Sequence, residues 1–322
     1  MRRIAVLTSG GDAPGMNAAI RAVVRGADAA GIEAYGVQNG YAGLIDGQLA
    51  PLDARAVSGI LHQGGTTLGT ARSAAFRTTE GRRQASKHLD MADIEGVVVI
   101  GGDGSFRGAD VLSREGHVRV VGIPGTIDND LSGTDFTLGF DTAVNTALES
   151  IDRIRDTAAS HGRLFFVEVM GRRSGWLALY AGLAGGATEV LVPERPTDIA
   201  RVREGVRTSF AIGKRFCLVV VAEGDEAGGA YGIADRVAEG LDVDYRVSTL
   251  GHVQRGGSPS MRDRVLGSVL GDAAVTALAE GANRVMVGER HGQVIRSPLE
   301  QTWTSFDRTP QDLLALMDRL AR

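Results

Sequence analysis

Val97-Val98-Val99-Ile100-Gly101-Gly102-Asp103-Gly104-Ser105 decides the fold. Four β-branched residues without polar alternation read as a strand buried on both faces, as in a parallel sheet covered by helices. The glycine and aspartate loop then leaves the carboxyl end of that strand, where open α/β sheets place their ligands. The pattern recurs at once. Val118-Arg119-Val120-Val121-Gly122-Ile123 is followed by Pro124-Gly125-Thr126-Ile127-Asp128-Asn129-Asp130. Glycines let the backbone approach a phosphate, and a helix start offers N–H donors to an anion. Aspartates offer hard oxygen ligands for magnesium and a carboxylate for proton removal. Together these loops point to phosphoryl transfer.

Outward from this centre, strands and helices alternate. Ile4–Ser9 reads as a strand, Gly10–Gly15 as a loop, Met16–Ala30 as a helix stopped by Gly31, and Glu33–Val37 as a second strand. A helix over about 105–114 joins the two buried strands. Asp141 is expected to cap a helix carrying Val144, Leu148, Ile151 and Ile154 at helical spacing. Leu164–Val169 pairs with a helix over 175–183, and Glu189–Val192 with a helix over 198–210. Phe216–Ala222 and Arg246–Leu250 are later strands, followed by a helix from Met261 to Ala279. Thr309-Pro310 is expected to open a last helix. Gly224–Gly229 is the candidate flexible surface loop. The alternation predicts an α/β protein with mainly parallel sheets and helices on both faces.

Composition narrows the partners. The chain has 322 residues, long for one core, so two domains are expected. A formal charge of -4 gives no general field for nucleic acid. The lone Cys217, inside an apolar run, excludes an internal disulfide framework and fits a reducing cytoplasm. No apolar run approaches the ~20 residues of a membrane span, and the first residues lack a signal-peptide core. P-loop, dinucleotide, zinc and nucleophile-elbow motifs are absent.

Each remaining segment has an ordinary rival reading. Gly10–Gly15 opens a helix and suits an anion, though a plain turn has the same form. Arg72, in a glycine and threonine loop, could be an isolated surface arginine. Asp103 could merely cap the next helix, and Asp128 and Asp130 could stabilise a turn. Met170-Gly171-Arg172 follows a strand, and Gly251–Gly257 carries His252 and Arg255. A satisfied structural histidine is the default reading of His252 alone.

In combination these segments closely resemble the ATP-dependent 6-phosphofructokinase family. The matching stretches are Leu7–Asn17, Gly101–Ser105, Pro124–Asp130, Glu168–Arg172 and Leu250–Gly257, spread from residue 1 to about 300. The resemblance implies transfer of the γ-phosphoryl group of Mg-ATP to the 1-hydroxyl of fructose 6-phosphate. Gly11, Arg72, Ser73, Gly102, Gly104 and Ser105 would then hold ATP, with Asp103 next to Mg2+. Asp128 would be the base, aided by Arg72 and Arg172. Thr126, Ile127, Asp130, Met170, Gly171, Arg172 and Glu223 would surround the sugar, and Arg163, Arg246, His252 and Arg255 its 6-phosphate. Arginine suits that task because its fork matches phosphate oxygens.

The resemblance also implies two three-layer αβα domains with the active site in the cleft between them. Residues 1–138 and 253–304 would form the larger ATP-binding domain, and 139–252 with 305–322 the smaller sugar-phosphate domain. It implies a cytoplasmic homo-oligomer, expected to be a tetramer, with Arg163 and Arg246 reaching a neighbour's site. Bacterial relatives bind ADP or phosphoenolpyruvate between subunits, and Arg21, Arg25, Arg155 and Lys214 match that effector site. Ala54, Thr188, Ile212 and Phe216 stand where charged or polar partners are usual, with Arg55 displaced by one. The rival readings are a pyrophosphate-dependent phosphofructokinase, an NAD or lipid kinase, and a non-catalytic sugar-phosphate sensor. Pyrophosphate users typically carry Asp and Lys where this chain has Gly104 and Gly125.

Overall fold

The computed structural model describes residues 1–304 and 311–320. In chain order the elements are β1 (Arg3–Ser9), α1 (Met16–Ala29), β2 (Glu33–Val37), α2 (Gly40–Ile45), β3 (Leu49–Leu52), α3 (Thr79–Met91), β4 (Gly96–Gly101), α4 (Asp103–Glu115), β5 (Arg119–Pro124) and α5 (Phe140–His161). Then come β6 (Leu164–Val169), α6 (Trp176–Ala184), β7 (Glu189–Leu191), α7 (Ile199–Ala211), β8 (Cys217–Ala222), α8 (Ala230–Ala238) and β9 (Tyr245–Thr249). Last are α9 (Met261–Ala279), β10 (Val285–Arg290), β11 (Gln293–Pro298), α10 (Gln301–Thr304) and α11 (Gln311–Leu320).

These elements form two compact units. The first comprises Met1–Ile127, Leu131–Thr142 and the chain from Arg255 through α10. Its seven-stranded sheet runs β11-β10-β5-β4-β1-β2-β3. The inner pairings are parallel, whereas β2–β3 and β10–β11 are antiparallel. Side chains alternate between faces along each strand. Ala5, Leu7, Val97, Val99 and Val120 therefore join Leu44, Leu89, Phe106 and Leu112 of α2, α3 and α4 in one core. On the other face α1 and α9 pack on the sheet and on each other.

The second unit comprises Asp128–Asp130, Ala143–Gln254 and α11. Its four strands are all parallel, in the order β7-β8-β6-β9. Leu164, Phe166, Cys217, Val219 and Val221 pack under Val202 and Val206 of α7 and Ile233 and Val237 of α8. α6 and α11 lie against the strands from the opposite side.

Several expectations shift. α5 begins at Phe140, so Asp141 lies inside its first turn and does not cap it. α4 begins at Asp103, two residues earlier than the spacing indicated. Gly224–Gly229 is a pinned loop: Asp225 is buried, accepting from Thr197 Oγ1 (2.8 Å) and the Ala227 N–H (2.9 Å). The turn at Thr309-Pro310 lies outside the described residues.

Candidate functional site

In the first unit three strands end level. Ser9 pairs with Gly101, and Gly101 with Pro124. The sheet order reverses at β1, with β2 on one side and β4 on the other. A crevice of this kind is the usual ligand position of an open sheet. A Cβ on Gly101 would stand 2.5 Å from Ser9 O and 2.6 Å from Ser105 Oγ, so this close strand approach requires glycine.

Side chains draw a further loop to this edge. Thr8 Oγ1 donates to Gly69 O (2.7 Å), and Thr70 Oγ1 donates to Gly10 O (2.7 Å). Arg72 and Ser73 follow directly, so they are carried to the Gly10–Gly15 loop. Ser73 Oγ accepts the Phe76 N–H (3.2 Å). Arg255 Nη1 donates to Asp12 O (3.2 Å), and its guanidinium lies against Gly11. The structure thus gathers Arg255 with the Gly11 loop. Tyr41 was not legible as part of this region. Its hydroxyl donates to Ser105 O (2.6 Å), its ring stacks on Phe76 at 3.9 Å, and burial pushes its pKa up.

At the start of α4, Gly102 takes the cap position. Asp103 does not cap; its Oδ1 accepts from Arg107 Nε one turn on (2.6 Å). Apart from its chain neighbours and the helix's own backbone, no atom lies within 4 Å of where a Gly104 side chain would begin, leaving open space at the helix start. Backbone bonds sew down the loop after β5, from Gly125 N–H to Gly101 O (3.0 Å) and from Thr126 N–H to Leu138 O (3.1 Å). Thr137 Oγ1 donates to Thr126 O (2.6 Å). Ile127 and Asp128 are buried, and Asp130 is exposed.

In the second unit, Val169 pairs with Ala222 and Glu168 with Thr249, so β6, β8 and β9 also end together. Their loops bring together Met170, Gly171, Arg172, Glu223 and the turn carrying His252. The Arg172 N–H donates to Glu223 Oε1 (2.8 Å), and the Glu223 N–H donates to Val169 O (2.9 Å). Glu168 Oε2 accepts the Ala230 N–H (2.8 Å) and so secures the start of α8.

Arg163 and Arg246 are not brought to this edge. Arg163 precedes β6, and Arg246 pairs with Phe165 near the opposite end of the sheet. Both approach Asp244, at 3.6 Å and 3.3 Å. Seven strand steps separate Arg163 from Met170, roughly 23 Å at 3.3 Å per residue. An arginine side chain cannot span that distance. Among the effector candidates, Arg21 and Arg25 lie one turn apart on α1 in the first unit. Arg155 on α5 and Lys214 after α7 belong to the second. Two guanidinium nitrogens of Arg155, Nε and Nη2, are buried without a hydrogen-bond partner.

Among the described residues no cluster of three or more His, Cys, Asp or Glu stands ready to hold a metal. Asp103, a single carboxylate beside the open space at Gly104, instead fits a magnesium ion bound mostly by phosphate and water oxygens.

A phosphofructokinase family profile matches residues 3–278. The chain belongs to the phosphofructokinase family. It is 60% identical over 321 residues to ATP-dependent 6-phosphofructokinase 1 of Thermus thermophilus, with 100% of both chains covered. Among solved structures, the phosphofructokinase of Saccharomyces cerevisiae superposes with a TM-score of 0.88 at 38% identity. That match covers 99% of this chain and 46% of the yeast chain, so this chain spans less than half the yeast chain's length. A pyrophosphate-dependent phosphofructokinase of Nitrosospira multiformis gives a TM-score of 0.85 at 25% identity, covering 96% and 86%.

Proposed function

We propose that the chain is an ATP-dependent 6-phosphofructokinase, phosphorylating the 1-hydroxyl of fructose 6-phosphate in glycolysis. The observation that carries this reading is the open start of α4 at Gly104 beside Asp103, in a chain 60% identical to an ATP-dependent relative. A carboxylate at 104 would crowd and repel the α-phosphate of a nucleotide. Its absence favours ATP over pyrophosphate.

Gly11, Arg72, Ser73, Gly102, Gly104 and Ser105 would hold the nucleotide, and the Asp103 carboxylate would hold Mg2+. The metal supplies charge neutralisation on the phosphates. Asp128 takes the proton from the sugar hydroxyl as the phosphoryl group arrives. Arg72 and Arg172 stabilise the charge that spreads over the transferred oxygens. Thr126, Ile127, Asp130, Met170, Gly171 and Glu223 surround the sugar, and His252 and Arg255 face its 6-phosphate. A non-catalytic sensor would not need Asp103, Asp128 and Arg172 together.

The family resemblance assigns Arg163 and Arg246, which lie away from Met170 and Arg172 in their own sheet, to the 6-phosphate bound by a second copy. The same resemblance implies a working homo-oligomer, read as a tetramer, in the cytoplasm. No described helix is long and apolar enough to cross a membrane.

The deciding assay couples ADP release to fructose 6-phosphate consumption, with pyrophosphate as the alternative donor. ATP supports turnover and pyrophosphate does not; robust pyrophosphate activity would overturn the donor assignment. Mixing Asp128→Asn with Arg246→Ala protein under subunit exchange restores part of the activity. A fully active monomer would rule out the shared site.

A further inference from the structure

Beyond Val169 the chain leaves the sheet, and its backbone donors must find acceptors elsewhere. Three side chains supply them. The Met170 N–H donates to Gln254 Oε1 (3.3 Å), the Arg172 N–H to Glu223 Oε1 (2.8 Å) and the Gly175 N–H to Glu194 Oε1 (2.8 Å). These bonds hold an unusual backbone. Gly171 has φ 141°, and Arg172 has φ 58°, a left-handed conformation uncommon for a residue with a side chain. Arg172 is thus aimed by its surroundings and not by its own preference.

Gln254 differs from the two carboxylates. It has no solvent exposure, and it uses both ends of its amide. While Oε1 receives the Met170 N–H, Nε2 donates to Gly251 O (3.0 Å). The turn from Gly251 to Arg255 carries His252, which is exposed. One buried amide therefore joins the backbone leading to Arg172 with the backbone bearing His252. Glutamine fits this task because its terminal amide offers an uncharged acceptor oxygen and a separate donor nitrogen. Leucine would fill similar space and leave the buried Met170 N–H and the partly buried Gly251 O unpaired, at a desolvation cost that is greatest for the Met170 N–H.

We propose that Gln254 is a positioning residue of the sugar-phosphate site. It fixes the spacing between the Met170–Arg172 segment and the His252 turn, and it acts through Arg172 and His252 without touching substrate. The inference rests on the reading of those two segments as sugar-phosphate ligands.

The test compares the wild-type chain with Gln254→Leu and Gln254→Glu in the coupled assay. Fructose 6-phosphate and ATP are varied in turn, and thermal melts are recorded alongside. Gln254→Leu lowers kcat/KM for fructose 6-phosphate by about 10–100-fold and leaves the KM for ATP within about twofold. Gln254→Glu adds a pH readout that a purely structural residue would not give. Its carboxylate accepts from Met170 but repels Gly251 O, whereas the protonated acid can donate to that carbonyl. Its kcat/KM for the sugar therefore recovers relative to wild type as pH falls. A folded Gln254→Leu with wild-type sugar kinetics overturns the proposal alone, as does a loss shared equally by ATP and sugar. Should Gln254→Leu fail to fold, the pH profile of Gln254→Glu decides, and a profile parallel to wild type overturns the proposal. A wild-type chain with no turnover on either substrate overturns the site reading and the proposal with it.

Discussion

At the carboxyl edge of the seven-stranded sheet a glycine leaves the start of α4 open, and the hydroxyls of Thr8 and Thr70 donate to loop carbonyls. At the corresponding edge of the four-stranded sheet the backbone also closes up at Gly171 and Gly224, but the loops are held by side chains that accept backbone N–H groups. Gly101 lets β1, α4 and β4 close on one another, and Gly104 leaves the start of α4 open. In the second unit Glu168, Glu194, Glu223 and Gln254 each take a backbone N–H from a loop or a helix start. The contrast follows from the ligands proposed for each edge. A nucleotide's phosphates are bound by bare backbone that must come close. The sugar phosphate proposed for the second edge would be bound by long side chains such as Arg172 and His252, whose backbone must be aimed.

The largest effect is expected where neither device supplies the chemistry. Asp128→Asn keeps the volume and removes the base, so kcat falls about 10²–10⁴-fold with fructose 6-phosphate affinity nearly unchanged. Steady-state kinetics with a direct sugar-binding titration measures both. Wild-type turnover in this variant would remove Asp128 from the proton transfer.

The glycine side of the comparison separates stability from binding. Gly101→Ala drives a methyl group into Ser9 O and Ser105 Oγ, and costs about 1–3 kcal/mol of stability. A Cβ at Gly104 has no atom of another segment within 4 Å, so Gly104→Asp is expected to melt near wild type while ATP turnover collapses. If both variants lose stability alike, the open space at Gly104 does not exist in solution and the contrast breaks.

Glycine in a loop is visible in a sequence, and an acceptor for another loop's N–H is not. That difference explains what was legible. The runs Val97–Ile100, Val118–Ile123 and Leu164–Val169 identified the buried strands, because continuous apolar sequence has few other uses. Gly101–Ser105 and Pro124–Asp130 marked the loops at the carboxyl ends of β4 and β5. α3 passed unnoticed because its charged sequence buries only Gly81, Ala85 and Leu89. The β10–β11 hairpin did carry a signal: His291 and Gly292 form a two-residue turn with φ 51° and 73°, the pattern of a primed turn. Gln254, Tyr41 and Thr70 act through contacts distant in sequence, which no local pattern reveals.

A smaller effect is expected at Asp263, a buried carboxylate in the first unit. Its oxygens accept the N–H groups of Gly139 (2.8 Å) and Thr142 (2.9 Å) and the Thr142 hydroxyl (2.5 Å). Asp263→Asn turns one acceptor into a donor facing a donor, at a cost of about 1–3 kcal/mol. Burial raises the pKa of Asp263, and its hydrogen bonds oppose that shift. The native state therefore holds this proton more tightly than the unfolded chain. The group's contribution declines as pH rises from the unfolded value, about 3.9, through its raised value, and is flat above. Urea melts across that range should show this slope in wild type and its loss in Asp263→Asn.

The smallest effect concerns regulation, where the second unit offers less than its relatives would need. ADP carries a diphosphate with a divalent cation, and a carboxylate is the expected partner for that cation. Thr188 stands at the usual glutamate position, buried, with its Oγ1 accepting the Leu218 N–H (3.4 Å). Glu189 is adjacent but cannot replace the missing group. Its carboxylate is already taken by Arg201 Nη2 (2.9 Å), in surroundings whose burial raises its pKa. Arg155 still has two unpartnered buried nitrogens, so some anion affinity remains. Each missing charge-assisted bond weakens a desolvated site by about 1.5–3 kcal/mol, and two or three such losses reach several powers of ten in affinity. Millimolar ADP should therefore shift the fructose 6-phosphate saturation curve only slightly, while phosphoenolpyruvate, which needs no such cation, keeps a weak inhibitory effect. Saturation curves with and without each effector measure this directly. A strong leftward shift by ADP would show that Arg55 or another residue has taken over, and that Thr188 does not limit the site.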